Sequence, residues 1–190
     1  LETELTEQEF GLMQVSRWEV LLLLILGVDP GLAKTGYGIV AANKGRFEAV
    51  AYGCITTEAT MASSERLVVL FDHIVELLSE YEPSVAAVEQ LFFNRNVTSA
   101  LAVGQARGVT LLCLAQQGLS VHEYTPLQVK MALTGEGRAA KDQVGYMVRM
   151  TLRLSETPRP DDAADALAVA LCHAFHAGSG LTRLVGKSAR

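Results

Sequence analysis

Four acidic residues stand where the folded chain could bring their carboxylates together. Asp29 and Glu89 each end a short apolar run of the kind that forms a buried β-strand. Asp162 and Asp165 are three residues apart in a predicted helix, which places them on one face, a turn apart. Carboxylates this close repel one another and raise each other's pKa unless a cation relieves the repulsion. The pattern therefore predicts a site for Mg²⁺ or Mn²⁺, which take oxygen ligands.

Such a site suits two-metal phosphodiester hydrolysis, in which one ion activates water and the other stabilises the leaving oxygen. Structural alternatives exist for individual acids. Asp29 could simply shape the Asp-Pro-Gly turn that follows its strand. Asp162 could complement the helix dipole, and Asp161 could serve as the N-cap. The convergence of all four acids favours the metal site.

A sheet must position these acids. We predict strands over residues 21–28, 36–42, 47–57, 85–88 and 119–124, and helices over 63–81, 97–117, 126–133, 141–154 and 161–176. Three strands in succession indicate an antiparallel meander, whereas strands separated by helices indicate parallel crossovers. The predicted fold class is α/β, with a five-stranded mixed sheet and helices on both faces. If the first and fourth strands are parallel neighbours, their acidic ends lie about 5 Å apart.

Length and composition bound the organisation of the chain. With 190 residues, 49% of them hydrophobic, we expect one well-packed domain over residues 20–177. Residues 1–19 are predicted to be a flexible acidic extension and residues 178–190 a flexible basic tail. Cys54, Cys113 and Cys172 are scattered among apolar neighbours, as expected for reduced core residues of a cytoplasmic protein. No apolar run reaches the roughly 18 residues that a membrane span requires.

The distribution of charge matters more than its sum. The formal net charge is −5, but residues 1–19 alone hold five acids and one base. Residues 124–160 hold six bases and three acids, and the last eighteen residues hold three bases and no acid. Since local patches determine affinity for phosphate, a nucleic-acid partner stays compatible with the acidic total.

Five segments of the chain resemble the RuvC family of Holliday-junction resolvases: ILGVDPGLAKTGYG, AVEQLFFNRN, SALAVGQARG, EYTPLQVK and DDAADALAVALCHAF. They occur in the family's order and at its approximate spacings, over about residues 22–177. The resemblance implies an RNase H-like fold and a homodimeric endonuclease of recombination and repair, with two Mg²⁺ or Mn²⁺ ions per site. It would nick two opposed strands of four-way junction DNA. A RuvAB-type branch-migration helicase is the implied partner.

The resemblance also implies roles for individual residues. The family's catalytic acids fall on Asp29, Glu89, Asp162 and Asp165, its functional lysines on Lys130 and Lys141, and its aromatic residue on Phe92. Further candidate DNA contacts are Phe93, Arg95, Arg138 and Arg107, the last of which could instead serve a helix interface. The chain departs from the family pattern at Asp161, an additional acid. The spacing to Asp165 favours Asp162 over Asp161 as the metal ligand.

Small residues recur every four positions in the second predicted helix, at Ala100, Gly104 and Gly108. They form one stripe along which another backbone could approach closely. Two interpretations are open: the stripe packs on the protein's own sheet, or it forms a helix-to-helix contact in a dimer.

Two other functions compete with junction cleavage. Actin-like ATPases share the opening Asp-x-Gly turn, but they need a second glycine-rich phosphate loop and a larger second domain. A junction-binding protein without catalytic activity could use the same core fold, although the presence of all four acids argues against it.

Overall fold

The computed structural model describes residues 22–90 and 97–185. Its strands are β1 (Leu23–Asp29), β2 (Lys34–Asn43), β3 (Arg46–Thr56), β4 (Val85–Glu89) and β5 (Ser120–Tyr124). Its helices are α1 (Ser63–Tyr81), α2 (Val97–Gln116), α3 (Pro126–Thr134), α4 (Lys141–Thr151) and α5 (Asp161–Val185). The five strands form one mixed sheet in the order β3-β2-β1-β4-β5, which confirms the predicted fold class.

Strand β1 lies at the centre of the sheet. It pairs antiparallel with β2 and parallel with β4, while β2–β3 is antiparallel and β4–β5 is parallel. The predicted meander and parallel crossovers are therefore confirmed. Val28 pairs with Val88, so Asp29 and Glu89 follow at equivalent positions of neighbouring strands.

Side chains alternate between two hydrophobic cores. Ile25 of β1 belongs to the core that α3, α4 and α5 cover, and Leu26 belongs to the core under α1 and α2. Because alternate residues of a strand share a face, Asp29 projects to the same side as Ile25. Glu89 projects to that side as well, since Val85 and Ala87 of β4 belong to the same core. Both acids therefore face α5.

Helix α5 packs directly against the backbone of the sheet because glycines on β1 and β2 provide space for it. A Cβ atom at Gly27 would overlap the backbone oxygen of Ala166, and one at Gly36 would overlap that of Asp162. At Gly38 it would overlap the side chain of Leu167. These contacts hold the first turns of α5 over the ends of the strands.

Two helix ends differ from the prediction. Helix α4 ends at Thr151 rather than at residue 154, and Arg153 then adopts a left-handed conformation with φ of 55°. Helix α5 passes the expected end near residue 176 and continues to Val185. A glycine inside a helix costs only about 1 kcal/mol relative to alanine, so Gly178 does not terminate α5. The tail predicted from residue 178 thus begins as helix, and residues 1–21 and 186–190 lie outside the described ranges.

None of the helices described combines the length and the apolarity that crossing a membrane would need.

Candidate active site

The turn after Asp29 is fixed by hydrogen bonds from threonine hydroxyls. The Thr35 hydroxyl donates to the Gly31 carbonyl at 2.6 Å and accepts from the Gly31 N–H at 3.2 Å. The Thr57 hydroxyl, at the end of the β2–β3 hairpin, donates to the Leu32 carbonyl at 2.5 Å. The backbone that follows Asp29 is therefore held on both sides, which restricts where the carboxylate can lie.

Asp29 and Glu89 share a proton. Burial raises the pKa of Asp29, and the charges of Glu89, Asp165 and Asp162 raise it further. Burial also raises the pKa of Glu89, although a hydrogen bond from Asp29 lowers it in part. A hydrogen bond between two carboxyl groups requires one proton, and that proton belongs to the pair. Two buried carboxylates side by side retain a proton because the unpaired charges would be costly.

Helix α5 brings the other two predicted acids to the same place. The charge of Asp165 acts on both Asp29 and Glu89, and the charge of Asp162 acts on Asp29. The neighbouring Asp161 is paired with Lys141 instead, with 3.6 Å between Oδ2 and Nζ. The geometry therefore supports Asp162, rather than Asp161, as the member of the acidic group.

Lys130 and Lys141 line a cavity of about 210 Å³ beside the acids. The residues that line the cavity are Glu89, Pro126, Val129, Lys130, Lys141, Val144, Asp165 and Ala168. Helix α3, which carries Lys130, begins at a capping box in which the Thr125 hydroxyl accepts from the Gln128 N–H at 3.1 Å. Both lysine charges lower the pKa of Glu89, which places them within electrostatic reach of the acids.

Lys141 is bound directly to the acidic group. Its Nζ lies 2.8 Å from Asp165 Oδ2. Partial burial lowers the pKa of the ammonium, but the hydrogen bonds and charges of Asp165 and Asp161 outweigh that effect and raise it above its ordinary value. Lys141 is therefore a firmly charged group within the site.

The donor atoms fit a hard divalent cation by their chemistry, although they are now engaged with one another. Within residues 22–90 and 97–185, no group of three or more His, Cys, Asp or Glu side chains is arranged as a ready-made metal centre. Asp29 is hydrogen-bonded to Glu89, and Asp165 is paired with Lys141. The donors are nevertheless carboxylate oxygens crowded at one sheet edge, which is the donor type that Mg²⁺ and Mn²⁺ prefer.

The outcome differs among the residues that were predicted to contact DNA. Phe92, Phe93 and Arg95 lie in residues 91–96, outside the described ranges. Arg138 is exposed in the loop before α4. Arg107 has an intramolecular partner, because its guanidinium donates to the Glu123 carboxylate of β5. Its predicted role as a phosphate contact is therefore not supported.

The position of Cys54 differs from the prediction. The sequence predicts that it lies in the core, as Cys113 and Cys172 do, but Cys54 is only half-buried. Cys54 pairs with Gly36, which in turn pairs with Asp29. Burial raises the pKa of the thiol, and the charge of Asp162 raises it further. A prediction of the β2–β3 register would have placed Cys54 opposite Gly36 and therefore near Asp29.

Comparisons with known proteins agree with the geometry. The family model for crossover junction endodeoxyribonuclease RuvC matches residues 25–173. The RuvC protein of Pelotomaculum thermopropionicum is 57% identical over 154 residues, which are 81% of this chain and 94% of that protein. The RuvC protein of Heliobacterium modesticaldum is 55% identical over 150 residues, which are 79% of this chain and 93% of that protein.

Solved structures show the same likeness. Thermus thermophilus RuvC superimposes with a TM-score of 0.78 at 40% identity, covering 83% of this chain and 97% of the other. The structure described as T. thermophilus RuvC in complex with Holliday junction substrate gives a TM-score of 0.79 at 39% identity, covering 83% and 96%. The yeast mitochondrial Holliday junction resolvase Ydc2, at 14% identity and a TM-score of 0.61, shares the fold.

Proposed function

This chain belongs to the RuvC family of crossover junction endodeoxyribonucleases, and we propose that its four convergent carboxylates form the site at which DNA is cut. The enzyme resolves Holliday junctions by hydrolysing phosphodiester bonds, a step of DNA recombination and repair. One observation carries the assignment of the site. Asp29 and Glu89 end adjacent parallel strands on the face that α5 covers, and the charges of Asp162 and Asp165 reach them from that helix.

The family depends on divalent metal ions. We propose that Asp29, Glu89, Asp162 and Asp165 hold Mg²⁺ or Mn²⁺, with two ions per site. When bound, such ions activate water and stabilise the leaving oxygen. The proton shared by Asp29 and Glu89 has to leave before both groups can act as ligands, since a carboxylate binds a cation in its ionised form.

Basic side chains of the protein orient the substrate. Lys130 and Lys141 line the cavity beside the acids, where an ammonium can bind the scissile phosphate and offset the negative charge that develops during hydrolysis. Arg138, exposed before α4, and Arg95 would extend these contacts along the backbone. Phe92 and Phe93 follow the strand that carries Glu89, and an aromatic ring there could stack on a base at the crossover. Phosphate contacts of this kind make affinity fall steeply with salt.

We also propose a homodimer that forms through α2. Outside the backbone of α2 itself, a Cβ atom at Gly104 or Gly108 would meet no atom of the described residues within 4 Å, so these glycines do not serve packing on the described sheet. Leu112, four residues beyond Gly108, is 55% exposed, and Leu101 is 65% exposed. The stripe thus presents small and apolar groups to the outside, which favours the second of the two interpretations from sequence. A two-fold dimer would match the symmetry of a four-way junction.

Two further proposals rest on family membership alone. The enzyme acts in the cytoplasm, and it works with a RuvAB-type branch-migration helicase. Co-purification of the two on junction DNA would test the partnership.

Replacement of Asp29 by asparagine tests the proposed site. We expect Asp29→Asn to bind a four-way junction as the unmodified protein does, because the overall fold and the basic contacts are retained. Cleavage should fall by about 10²-fold or more, the effect typical of removing one electrostatic group from an active site. Gel-shift and cleavage assays with Mg²⁺ and with Mn²⁺ would measure the two effects.

The matched control is Asp72→Asn, which makes the same charge change at an exposed position of α1. It should cleave at the unmodified rate. Full cleavage by Asp29→Asn would refute the assignment of the site. Hydrolysis of ATP by the pure protein, without junction cleavage, would favour the actin-like alternative.

A further inference from the structure

Asp161, the acid that the family pattern does not require, lies on the face of α5 that Lys141 contacts. Asp161 and Asp165 are four residues apart, so their side chains are neighbours on one helical face. The Nζ of Lys141 lies between them, 2.8 Å from Asp165 Oδ2 and 3.6 Å from Asp161 Oδ2. One ammonium is therefore shared by two carboxylates, and the stronger contact is with Asp165.

The carboxylate of Asp161 is oriented by a second cation. Its Oδ1 accepts from the guanidinium of Arg159, which leaves Oδ2 directed at Lys141. The side chains of Lys141, Asp161 and Arg159 are 56%, 50% and 77% exposed. Ion pairs this exposed contribute little to folding stability, so the main consequence of the arrangement is where it holds the ammonium.

Lys141 and a metal ion compete for Asp165. A divalent cation on Asp165 repels the ammonium that is now bound there, because the two like charges would lie within a few ångströms. To stay beside the site, Lys141 then has to pair with another anion close by. Asp161 is already within 3.6 Å of it and is held in place by Arg159.

We propose that Asp161 is a positioning residue that retains Lys141 beside the active site once Asp165 binds a metal ion. The inference rests on the proposed function, since it takes Asp165 as a metal ligand. Without Asp161, Lys141 would remain on Asp165, where it opposes metal binding and is held away from the scissile phosphate. This slows cleavage, and it acts only through Lys141.

A double-mutant cycle tests this dependence. Asp161→Asn is the suitable change because it removes the charge of the side chain and keeps its size. We expect it to lower the cleavage rate at saturating junction by about two- to fivefold, the factor that one exposed ion pair is worth. In a Lys141→Gln background the same substitution should have no further effect. Equal factors in the two backgrounds would overturn the proposal, because Asp161 would then act independently of Lys141.

Calcium binding provides a readout that does not depend on turnover. Ca²⁺ alone, titrated calorimetrically into the protein without DNA, should bind a few-fold more weakly to Asp161→Asn than to the unmodified protein. This difference should disappear in the Lys141→Gln background. If the weakening persists there, Asp161 is itself a ligand and the positioning role is wrong.

Two further variants serve as controls. Asp142→Asn, beside Lys141 in the first turn of α4, makes the same charge change and should leave cleavage unaltered. Asp161→Glu, which keeps the carboxylate, should restore most of the rate. Failure of the proposed function would appear as an unmodified protein that cleaves no junction with any metal. Failure of this inference would leave cleavage intact, with Asp161→Asn equal to the unmodified protein.

Discussion

At the scale of single residues, the burial of Asp29 sets the protonation state of the metal-free site. Its carboxyl group lies at the end of the central strand, next to Glu89 and within reach of the charges of Asp165 and Asp162. A proton relieves part of this repulsion, and so does a metal ion. The two therefore compete, and metal binding should release a proton.

The stability of the metal-free protein should consequently depend on pH. Burial and the charge of Glu89 raise the pKa of Asp29 from 3.8 to about 8, so the folded protein retains a proton that the unfolded chain releases near pH 4. When the folded state binds more protons, the free energy of unfolding decreases as pH rises. We expect Tm to fall between about pH 4 and pH 8 and to level off above that range.

Thermal unfolding in EDTA across this range would measure the effect. Asp29→Asn removes the titrating group, so its Tm should vary less with pH and should exceed that of the unmodified protein at pH 8, where about 1 kcal/mol corresponds to 2–4 °C. Saturating Mg²⁺ should flatten the profile of the unmodified protein. An unmodified, metal-free protein whose Tm is constant from pH 5 to pH 8 would contradict the shared proton.

The identities of the acids could be predicted from sequence, whereas their pairing could not. Asp29 and Glu89 each follow an apolar run, and Asp162 and Asp165 have helical spacing, so topology alone suffices to bring the four together. The raised pKa values of Asp29 and Glu89 depend on burial that only the folded chain defines. The contact of Lys141 with both Asp165 and Asp161 depends on how α4 docks against α5, and no local pattern encodes that.

At the scale of elements, the close approach of α5 to the sheet determines where its acids lie. Gly36 pairs with Asp29 on β2, and the backbone of Asp162 occupies the space that a side chain at Gly36 would need. Gly27 and Gly38 provide space further along the same helix. The glycines thus set the distance between the acids of the strands and those of the helix.

Gly36→Ala should therefore damage both the fold and the site. The added methyl group overlaps a backbone atom of α5 that cannot rotate away, so the helix has to shift. We expect a loss of about 1–3 kcal/mol in the free energy of unfolding, the usual cost of overpacking. Junction cleavage should decrease more than junction binding, since the acids move apart. Urea unfolding, with cleavage and gel-shift assays, would measure the three quantities.

Gly178→Ala is the control for the glycine substitution itself. Gly178 lies in α5, and a Cβ atom there would meet no atom within 4 Å among the described residues outside the helix backbone. Because alanine favours helix over glycine by about 0.8–1.0 kcal/mol, this variant should be as stable as the unmodified protein or more so. If Gly36→Ala behaves like Gly178→Ala, the close packing does not position the site.

The arrangement of elements was predictable in outline because strand spacing limits the topology. Three strands in succession form a meander, and helices between strands impose parallel crossovers. The end of α5 was not predictable in the same way. Gly178 makes helix formation less favourable by only about 1 kcal/mol. Since α5 continues to Val185, the helix-favouring contributions of its other residues exceed this cost.

At the scale of the whole molecule, the proposed dimer is needed for paired cleavage, since one site per protomer cuts one strand. Gly108→Arg should abolish the dimer. The substitution places a long charged side chain in the stripe, where the partner helix would approach. Arginine also favours helix by close to 1 kcal/mol over glycine, so the isolated protomer should fold at least as well. Sedimentation analysis should show monomers, and the variant should lose coordinated cleavage of two strands.

Val68→Arg provides the comparison for this variant. Val68 is 58% exposed on α1, so the change again replaces a small group by an exposed charge, on a different helix. It should remain dimeric. A Gly108→Arg protein that sediments as a dimer would exclude α2 as the interface.

The order in which the chain supplies its acids has a consequence for biosynthesis. Asp29 comes from the first strand described and Asp165 from the last helix, while Glu89 lies on a strand that joins the sheet only after the α1 crossover. Contacts between such distant parts of a chain form late in folding. A nascent or partly folded chain therefore lacks a complete acidic group. The proposed site is therefore complete only once α5, which carries Asp162 and Asp165, has been synthesised and docked.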